Sequence, residues 1–123
     1  MMKPKILIVE DYDDSREVLR YLLESCGYEV YEAADGIEAI DRVKEFEPDL
    51  ILMDISLPTV DGLTAARAIR EVTGDRIPII AVTAFGSDYK SEARDAGCDD
   101  LLDKPLDYRI LRPLLRSYLT PAA

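Results

Sequence analysis

The chain has 123 residues, of which 48% are hydrophobic, and a formal net charge of −10 at pH 7. This size fits one domain spanning residues 1–123, and it argues against a disordered or fibrous chain. The net negative charge argues against a surface that binds nucleic acid directly. The sequence has no apolar run near the ~20 residues needed to span a membrane, which argues against membrane insertion. It has no His and only two cysteines, Cys26 and Cys98, which argues against a zinc site.

Five apolar stretches alternate with segments of helical periodicity. This alternation is typical of an α/β domain, in which each strand is followed by a helix and the strands form a parallel sheet. The predicted strands are Lys5 to Val9, Tyr28 to Ala33, Leu50 to Met53, Pro78 to Val82 and Asp100 to Leu102.

The composition of these strands predicts their order. The first, third and fourth contain the continuous apolar runs ILIV, LILM and IIAV, which indicates strands covered on both faces. The second places Glu29 and Glu32 among apolar residues and the fifth is short, so both belong at the edges. We therefore predict a flavodoxin-like, three-layer α/β/α fold with five helices and a parallel sheet of order 2-1-3-4-5.

Helical periodicity gives the first four helices a predicted apolar face. The first helix is expected to have Asp13 or Asp14 as its N-cap and to end before Gly27. The fourth, Asp88 to Ala96, has the fewest apolar residues and should be the least firmly held. The predicted core-facing residues are Val18, Leu19, Leu22, Leu23 and Cys26, then Ile37, Ile40, Val43 and Phe46, then Leu63, Ala66 and Ile69 after Asp61 and Gly62, then Tyr89, Ala93 and Ala96.

The fifth helix contains a proline. If it begins near Asp107, Pro113 lies beyond the first turn, where its missing N–H and its clash with the preceding turn cost ~3 kcal/mol. We expect a kink or a later start. Arg112 and Arg116 on this helix either complement the helix dipole on a solvated face or form a docking face for an acidic partner.

Five polar residues follow or end the predicted strands. Parallel strands place their carboxyl ends at one edge of the sheet, and the first and third strands are neighbours where the winding reverses, which is where such sheets bind ligands. Three converging carboxylates would repel one another unless a cation lay among them. These residues are Glu10 and Asp11 after the first strand, Asp54 at the end of the third, Thr83 at the end of the fourth and Lys104 after the fifth.

The residue types in this set point to phosphoryl transfer. Carboxylates are ligands suited to Mg²⁺, and an ammonium and a hydroxyl can compensate charge on transferring oxygens. The isolated carboxylate of Asp54 is the predicted nucleophile, and the adjacent Glu10 and Asp11 are predicted metal ligands. Taken singly, each residue also has a structural interpretation, as a helix cap, a strand-end threonine or a solvated loop lysine.

The motifs ILIVED, DLILMDISLP with DG close behind, IIAVTA and DKP occur in this order. Together they resemble the receiver domain of two-component response regulators, the CheY-like family, over nearly the whole chain. The resemblance implies a Mg²⁺-dependent phosphoacceptor switch in the cytoplasm rather than an enzyme, either a stand-alone regulator or a phosphorelay intermediate. It also implies a histidine kinase or histidine phosphotransfer protein as phosphodonor, because the chain has no His.

The resemblance further implies a role for each motif residue. Asp54 would accept the phosphoryl group, and Asp11, Asp54 and the backbone carbonyl of Ser56 would ligate Mg²⁺, with Glu10 acting largely through water. Lys104 would pair with the phosphoryl oxygens, Thr83 would move to hydrogen-bond them, and the Lys104–Pro105 peptide would be cis. A downstream protein would bind through the fourth helix, fifth strand and fifth helix, and the domain would be a monomer or weak dimer.

Two positions concern how such a switch would work. Receivers commonly carry an aromatic residue three positions before the lysine, where this chain has Leu101, so the usual aromatic switch is in doubt. Beside the expected phosphoryl site, Ala84 is small and Phe85 is large. We hypothesise that Phe85 restricts attacking water and lengthens the phosphoaspartate lifetime.

Three other classes of function compete with the switch. A flavin-binding electron carrier would need a phosphate-binding loop where this chain has the acidic EDYDD. A Mg²⁺-dependent phosphohydrolase would need a second acid as general base after Asp54 and a larger substrate pocket. A receiver-like domain that binds partners without phosphorylation would not need the full set of site residues.

Overall fold

The computed structural model of the chain describes residues 3–55, 61–74, 76–84 and 86–119. Within these residues, five strands alternate with five helices. The strands are β1 (Lys5–Val9), β2 (Glu29–Ala33), β3 (Leu50–Asp54), β4 (Ile79–Thr83) and β5 (Asp100–Asp103). The helices are α1 (Asp13–Ser25), α2 (Gly36–Phe46), α3 (Gly62–Thr73), α4 (Gly86–Asp95) and α5 (Tyr108–Tyr118).

The strands form one parallel sheet of order β2-β1-β3-β4-β5, as predicted. Every residue of β3 and β4 is buried, whereas β2 and β5 are largely half-exposed. The continuous apolar runs therefore lie in the middle of the sheet, because only a strand covered on both faces can bury every side chain. The prediction of central and edge strands is confirmed.

Helices cover both faces of the sheet and create two cores. On one face, Leu7, Ile51 and Ile79 pack with buried residues of α2, α3 and α4. On the other, Ile8 and Leu52 pack with buried residues of α1 and α5. Each large aliphatic side chain that is fully buried contributes ~1.5–3 kcal/mol to folding, so the two cores hold the sheet rigid beneath its carboxyl edge. In the described part of the chain, no helix is long and apolar enough to cross a membrane.

The bounds of β1 match the prediction, and the bounds of the other strands differ from it by one residue. Asp54 and Thr83 are the last residues of β3 and β4, one residue beyond the predicted strand ranges. The ladder continues to these positions, with Asp54 opposite Val82 and Thr83 opposite Asp103. The two polar side chains are thus fixed by sheet hydrogen bonding.

The N-cap prediction for α1 was wrong. The cap residue is Tyr12, which makes no side-chain hydrogen bond to the helix, while Asp13 and Asp14 lie in the first turn. Carboxylates there still favour the helix, because they face the positive end of its dipole. The predicted end of the helix is confirmed, since Gly27 adopts a φ of 95° just beyond it.

Four predicted core residues are exposed: Val18 (54%), Ile37 (50%), Tyr89 (38%) and Cys26. In α2, smaller residues lie against the sheet instead, namely Gly36 and Ala39 together with Val43. In α4, the predicted Ala93 and Ala96 are buried. A helix on a flat sheet buries a narrow stripe, and small residues allow close approach, so side-chain size alone misplaced these faces.

Helix α5 does not start late. Asp107 caps it by accepting a hydrogen bond from the Arg109 N–H, and the helix continues through Pro113. Leu111 and Leu115 are fully buried on either side of the proline. Their burial offsets the backbone hydrogen bond that Pro113 cannot donate.

Arg70 of α3 joins the segments that lead into β4 and β5. Its guanidinium donates to the carbonyls of Gly97 (2.8 Å), Gly74 (3.0 Å) and Ile77 (2.5 Å) and to Oδ2 of Asp99 (2.6 Å). Gly97 has a φ of 97°, and a Cβ there would lie 2.7 Å from Arg70 Cγ. The arginine therefore fixes the loop between α4 and β5 at the end of the sheet opposite the candidate site.

Candidate functional site

The candidate site lies at the carboxyl edge of the central strands. Asp54 ends β3 and is 5% exposed, and Glu10 follows the neighbouring β1 and is 7% exposed. Lys104 follows β5, two strands away from β3. The parallel arrangement brings all three side chains to one edge, as the sequence predicts.

One ammonium faces two buried carboxylates. Lys104 Nζ lies 2.7 Å from Asp54 Oδ2 and 3.1 Å from Glu10 Oε2. The lysine side chain is about one-third exposed, so it covers the acids from the solvent side. Breaking such a buried pair would leave a carboxylate uncompensated, which typically costs ~3–5 kcal/mol.

The close approach of the carboxylates changes their proton affinity. Burial, a hydrogen bond with the Asp54 carboxyl and the charge of Asp54 together raise the pKa of Glu10 to about 7, against the opposing effect of Lys104. Burial acts to lower the pKa of Lys104, but its hydrogen bonds and charge attraction to Asp54 and Glu10 raise it overall. Lys104 therefore stays charged at neutral pH, whereas Glu10 holds a proton more readily than an ordinary glutamate.

A third carboxylate completes an oxygen-donor set. Carboxylate oxygens of Glu10, Asp11 and Asp54 all lie within 4.8 Å of one another, and Asp11 is exposed. When all are ionised, three negative charges and the one positive charge of Lys104 leave a net charge of −2. A hard divalent cation that accepts oxygen ligands and keeps several waters matches both the donor chemistry and this charge, so the residues present fit Mg²⁺.

Thr83 is linked to the site through the backbone. It ends β4 with its side chain fully buried, and its carbonyl accepts a hydrogen bond from the Lys104 N–H at 2.8 Å. The next peptide bond, between Lys104 and Pro105, is cis. The hydrogen bond between Lys104 and Thr83 connects the end of β4 to the start of the loop that carries Lys104.

The structure describes only some of the remaining predicted site residues. Ser56 and Phe85 lie outside the described residues, so the carbonyl ligand and the water-excluding side chain stay predictions. Ala84 is exposed at the end of β4. Leu101 is half-buried and packs against the core on the side of α2, α3 and α4.

Gly62, the second residue of the DG motif, lies directly against the backbone of Asp54 and has no role predicted from the sequence. A Cβ at this position would lie 2.4 Å from both the Asp54 carbonyl oxygen and the Ile55 Cα. The Gly62 N–H also donates to the Ile55 carbonyl at 3.3 Å. The pair Asp61-Gly62 after a strand is a signal that could have indicated this close approach, because a helix start so near a strand excludes a side chain.

A cleft of about 690 Å³ opens beside the carboxylates. It lies between the start of α1 and the loop from β5 to α5, with Val18 and Leu19 on one wall and Pro105 and Leu106 on the other. Its floor reaches Asp54. A partner's side chain can therefore approach the carboxylate from this side.

Comparison with known proteins identifies the family. The pattern of the response regulator receiver domain matches residues 6–116. The chain belongs to this family. The polar-differentiation response regulator DivK of Brucella anthropi is 39% identical over 98% of this chain and all of the relative.

Solved receiver structures share the fold. The receiver domain of the sensor histidine kinase PA1611 of Pseudomonas aeruginosa, with a magnesium ion coordinated in its active-site cleft, is 37% identical with a TM-score of 0.88 over 98% of this chain and 100% of that one. The Saccharomyces cerevisiae receiver of Ssk1, crystallised with the histidine phosphotransfer protein Ypd1, is 30% identical with a TM-score of 0.88 over 94% and 88%. The receiver domain described here is thus a CheY-like, flavodoxin-like domain of the two-component type.

Replacing Gly62 by alanine should destabilise this receiver domain by ~1–3 kcal/mol, because the new Cβ must displace the Asp54 backbone. Helix propensity alone would instead favour alanine by up to ~1 kcal/mol. Urea unfolding of Gly62→Ala measures the difference. The exposed Arg67→Ala in the same helix is the control and should stay within ~0.5 kcal/mol of wild type. A Gly62→Ala protein as stable as wild type would contradict the expected contact.

In the metal-free domain, Asp54→Asn should lower the pKa of Glu10 from about 7 toward its ordinary 4.5, because it removes a like charge and the carboxyl–carboxyl hydrogen bond that favours the protonated form, while burial remains. The stability that Glu10 contributes is full below its unfolded pKa and is lost as pH rises through the folded pKa. The variant should therefore lose less stability between pH 4.5 and 7. An NMR titration of the Glu10 carboxyl carbon measures the pKa, and an unchanged or higher value contradicts the expectation.

Proposed function

We propose that this receiver domain accepts a phosphoryl group on Asp54 in a Mg²⁺-dependent reaction and thereby changes which partner it binds. The observation that carries the proposal is Lys104 Nζ at 2.7 Å from Asp54 Oδ2, within a set of three carboxylates whose oxygens lie within 4.8 Å of one another. Such a set combines a nucleophile, a fixed cation and an oxygen-donor site.

The roles of the residues follow from their positions. Asp54 is the nucleophile: one of its carboxylate oxygens bonds to phosphorus while the bond from phosphorus to the donor breaks, and the donor keeps the electron pair. Lys104 attracts the oxygens of the transferring group, since its raised pKa keeps it charged. Glu10, Asp11 and Asp54 would hold Mg²⁺, with the Ser56 carbonyl as a further proposed ligand. When bound, the ion would neutralise charge on the phosphoryl oxygens.

The phosphodonor is proposed to be a phosphohistidine of a histidine kinase or of a phosphotransfer protein. The cleft beside Asp54 and the complex of Ypd1 with the Ssk1 receiver support this choice. The chain itself has no His, so a phosphohistidine must come from another molecule. The domain would act as a phosphoacceptor that takes part in its own phosphorylation and dephosphorylation rather than as an enzyme acting on a separate substrate.

Acetyl phosphate with Mg²⁺ should add one phosphoryl group to the wild-type domain and none to Asp54→Asn, as measured by intact mass. Asp35→Asn is the matched control. Asp35 also follows a strand at this edge, and asparagine can take over its capping of α2. The Asp35→Asn protein should therefore still gain one phosphoryl group. Chelation of the metal should abolish the adduct in both active proteins. An adduct on Asp54→Asn, or none on wild type, would overturn the proposed phosphoacceptor.

The proposed output surface consists of α4, β5 and α5. Where the burial of α4 is described, from Tyr89 to Asp95, Ala93 is the one buried residue, and Ala96 is buried just beyond the helix, so little apolar burial in this part opposes its movement. The Thr83 carbonyl is bonded to the Lys104 N–H, which links the site to the end of β5. The exposed Arg112 and Arg116 of α5 would add positive charge for an acidic partner.

Beryllofluoride with Mg²⁺ should mimic the phosphoryl group and shift the amide resonances of α4, β5 and α5 in addition to those at the site. The physical reason is that new negative charge on Asp54 redirects Lys104 and Thr83, which are joined through their backbone. NMR spectra of wild type and Asp54→Asn with and without the reagent provide the comparison. Shifts confined to the loops around Asp54, with α4 and β5 unchanged, would contradict the proposed surface.

A further inference from the structure

Arg16, in the first turns of α1, contacts the main chain of the acidic pair. Its Nη1 donates to the Glu10 carbonyl at 2.7 Å, its Nη2 to Asp13 Oδ1 at 2.6 Å and its Nε to Glu32 Oε1 at 3.2 Å. The side chain is only 17% exposed. The planar guanidinium therefore spans two elements and a loop with a fixed geometry that a lysine cannot reproduce.

The peptide units around Glu10 are held from both sides by the end of β2. The Glu10 N–H donates to the Ala33 carbonyl at 3.1 Å, and the Glu10 carbonyl accepts from Arg16, which is paired with Glu32 of β2. The carbonyl belongs to the peptide that links Glu10 to Asp11. Because this peptide plane is fixed, the backbone positions from which the Glu10 and Asp11 side chains extend are fixed as well.

The hydrogen bond from Arg16 to the Glu10 carbonyl and the positive charge of Arg16 should have opposite effects on the affinity of the site for a divalent cation. A positive charge near three carboxylates weakens binding of a divalent ion by repulsion, so charge alone predicts tighter binding once the arginine is removed. Residues that hold a ligand in place have the opposite effect, and their loss typically weakens metal binding ~10–100-fold. The sign of the change therefore distinguishes the two roles.

We infer that Arg16 is a positioning residue for the divalent cation, acting through the Glu10 carbonyl and held in place by Glu32. The inference rests on the proposed metal site. It states that the geometry of this site depends on the contact between Arg16 and Glu32 of the edge strand β2. Glu32, a charge within the otherwise mostly apolar sequence of β2, thereby gains a role, because its two oxygens hold Arg16 and Arg20 of α1.

Arg20 supplies a matched control. It lies one turn further along α1 and pairs with the other oxygen of Glu32 at 2.8 Å, and its guanidinium donates to Glu24 and Glu32, which lie on α1 and β2 rather than in the acidic loop. Arg20→Gln therefore removes one positive charge and one ion pair with Glu32 of β2, as Arg16→Gln does. Arg16→Lys keeps the charge but loses the fork that spans Glu32 and the Glu10 carbonyl.

The experiment is a titration with Mn²⁺, without any phosphodonor, in which electron paramagnetic resonance measures the free ion. We expect Arg16→Gln and Arg16→Lys to bind Mn²⁺ ~10-fold more weakly than wild type, and Arg20→Gln to stay within about twofold. Amide resonances of Glu10 and Asp11 should shift in the Arg16 variants without metal. If Arg16→Gln does not fold, Arg16→Lys carries the same comparison.

The outcomes separate this inference from the proposed function. Binding by Arg16→Gln that equals or exceeds that of Arg20→Gln, with wild-type binding intact, overturns the positioning role and leaves the metal site standing. Unchanged binding by Arg16→Lys shows that the guanidinium fork across Glu32 and the Glu10 carbonyl is not needed, and it overturns the positioning role as well. Failure of wild type to bind Mn²⁺ overturns the proposed metal site and this inference with it.

Discussion

The receiver domain depends on how two buried carboxylates are held beside one ammonium. Glu10 and Asp54 are each less than a tenth exposed, and their mutual repulsion would destabilise the fold without Lys104. The sheet makes this arrangement possible, since it is rigid enough to fix Asp54 by strand pairing while β5 brings the lysine from the far end of the chain. The remaining negative charge makes the site suited to a cation.

Much of this architecture could be predicted from the sequence. Runs such as LILM identify central strands because only strands buried on both faces can be apolar throughout, and from the strand order the positions of Asp54 and Lys104 follow. Helix faces were predicted less well. Apolar spacing favoured Val18 and Ile37, yet both are exposed, because α1 buries only a narrow stripe with Leu19 and Leu23, and α2 buries the small Gly36 and Ala39.

The contacts that support the site were harder to predict. Arg16 lies sixteen residues from Glu32 in the chain, and nothing in the local pattern links a helix arginine to an edge strand. Gly62 is conspicuous only once its distance to the Asp54 backbone is known. Such supporting residues depend on the packing of separate elements, whereas the acids and the lysine were found because strand ends converge by topology alone.

The contact between Arg70 and Gly97 restricts how this sequence can diverge. Position 97 requires glycine for two independent reasons, its positive φ and the arginine side chain that fills the space of a Cβ. A relative that carried a side chain there would have to shorten or redirect the residue at position 70 and pair the carbonyls of Gly74 and Ile77 in another way. The two positions should therefore vary together among related chains, even though neither lies at the carboxyl edge of the sheet that carries Asp54.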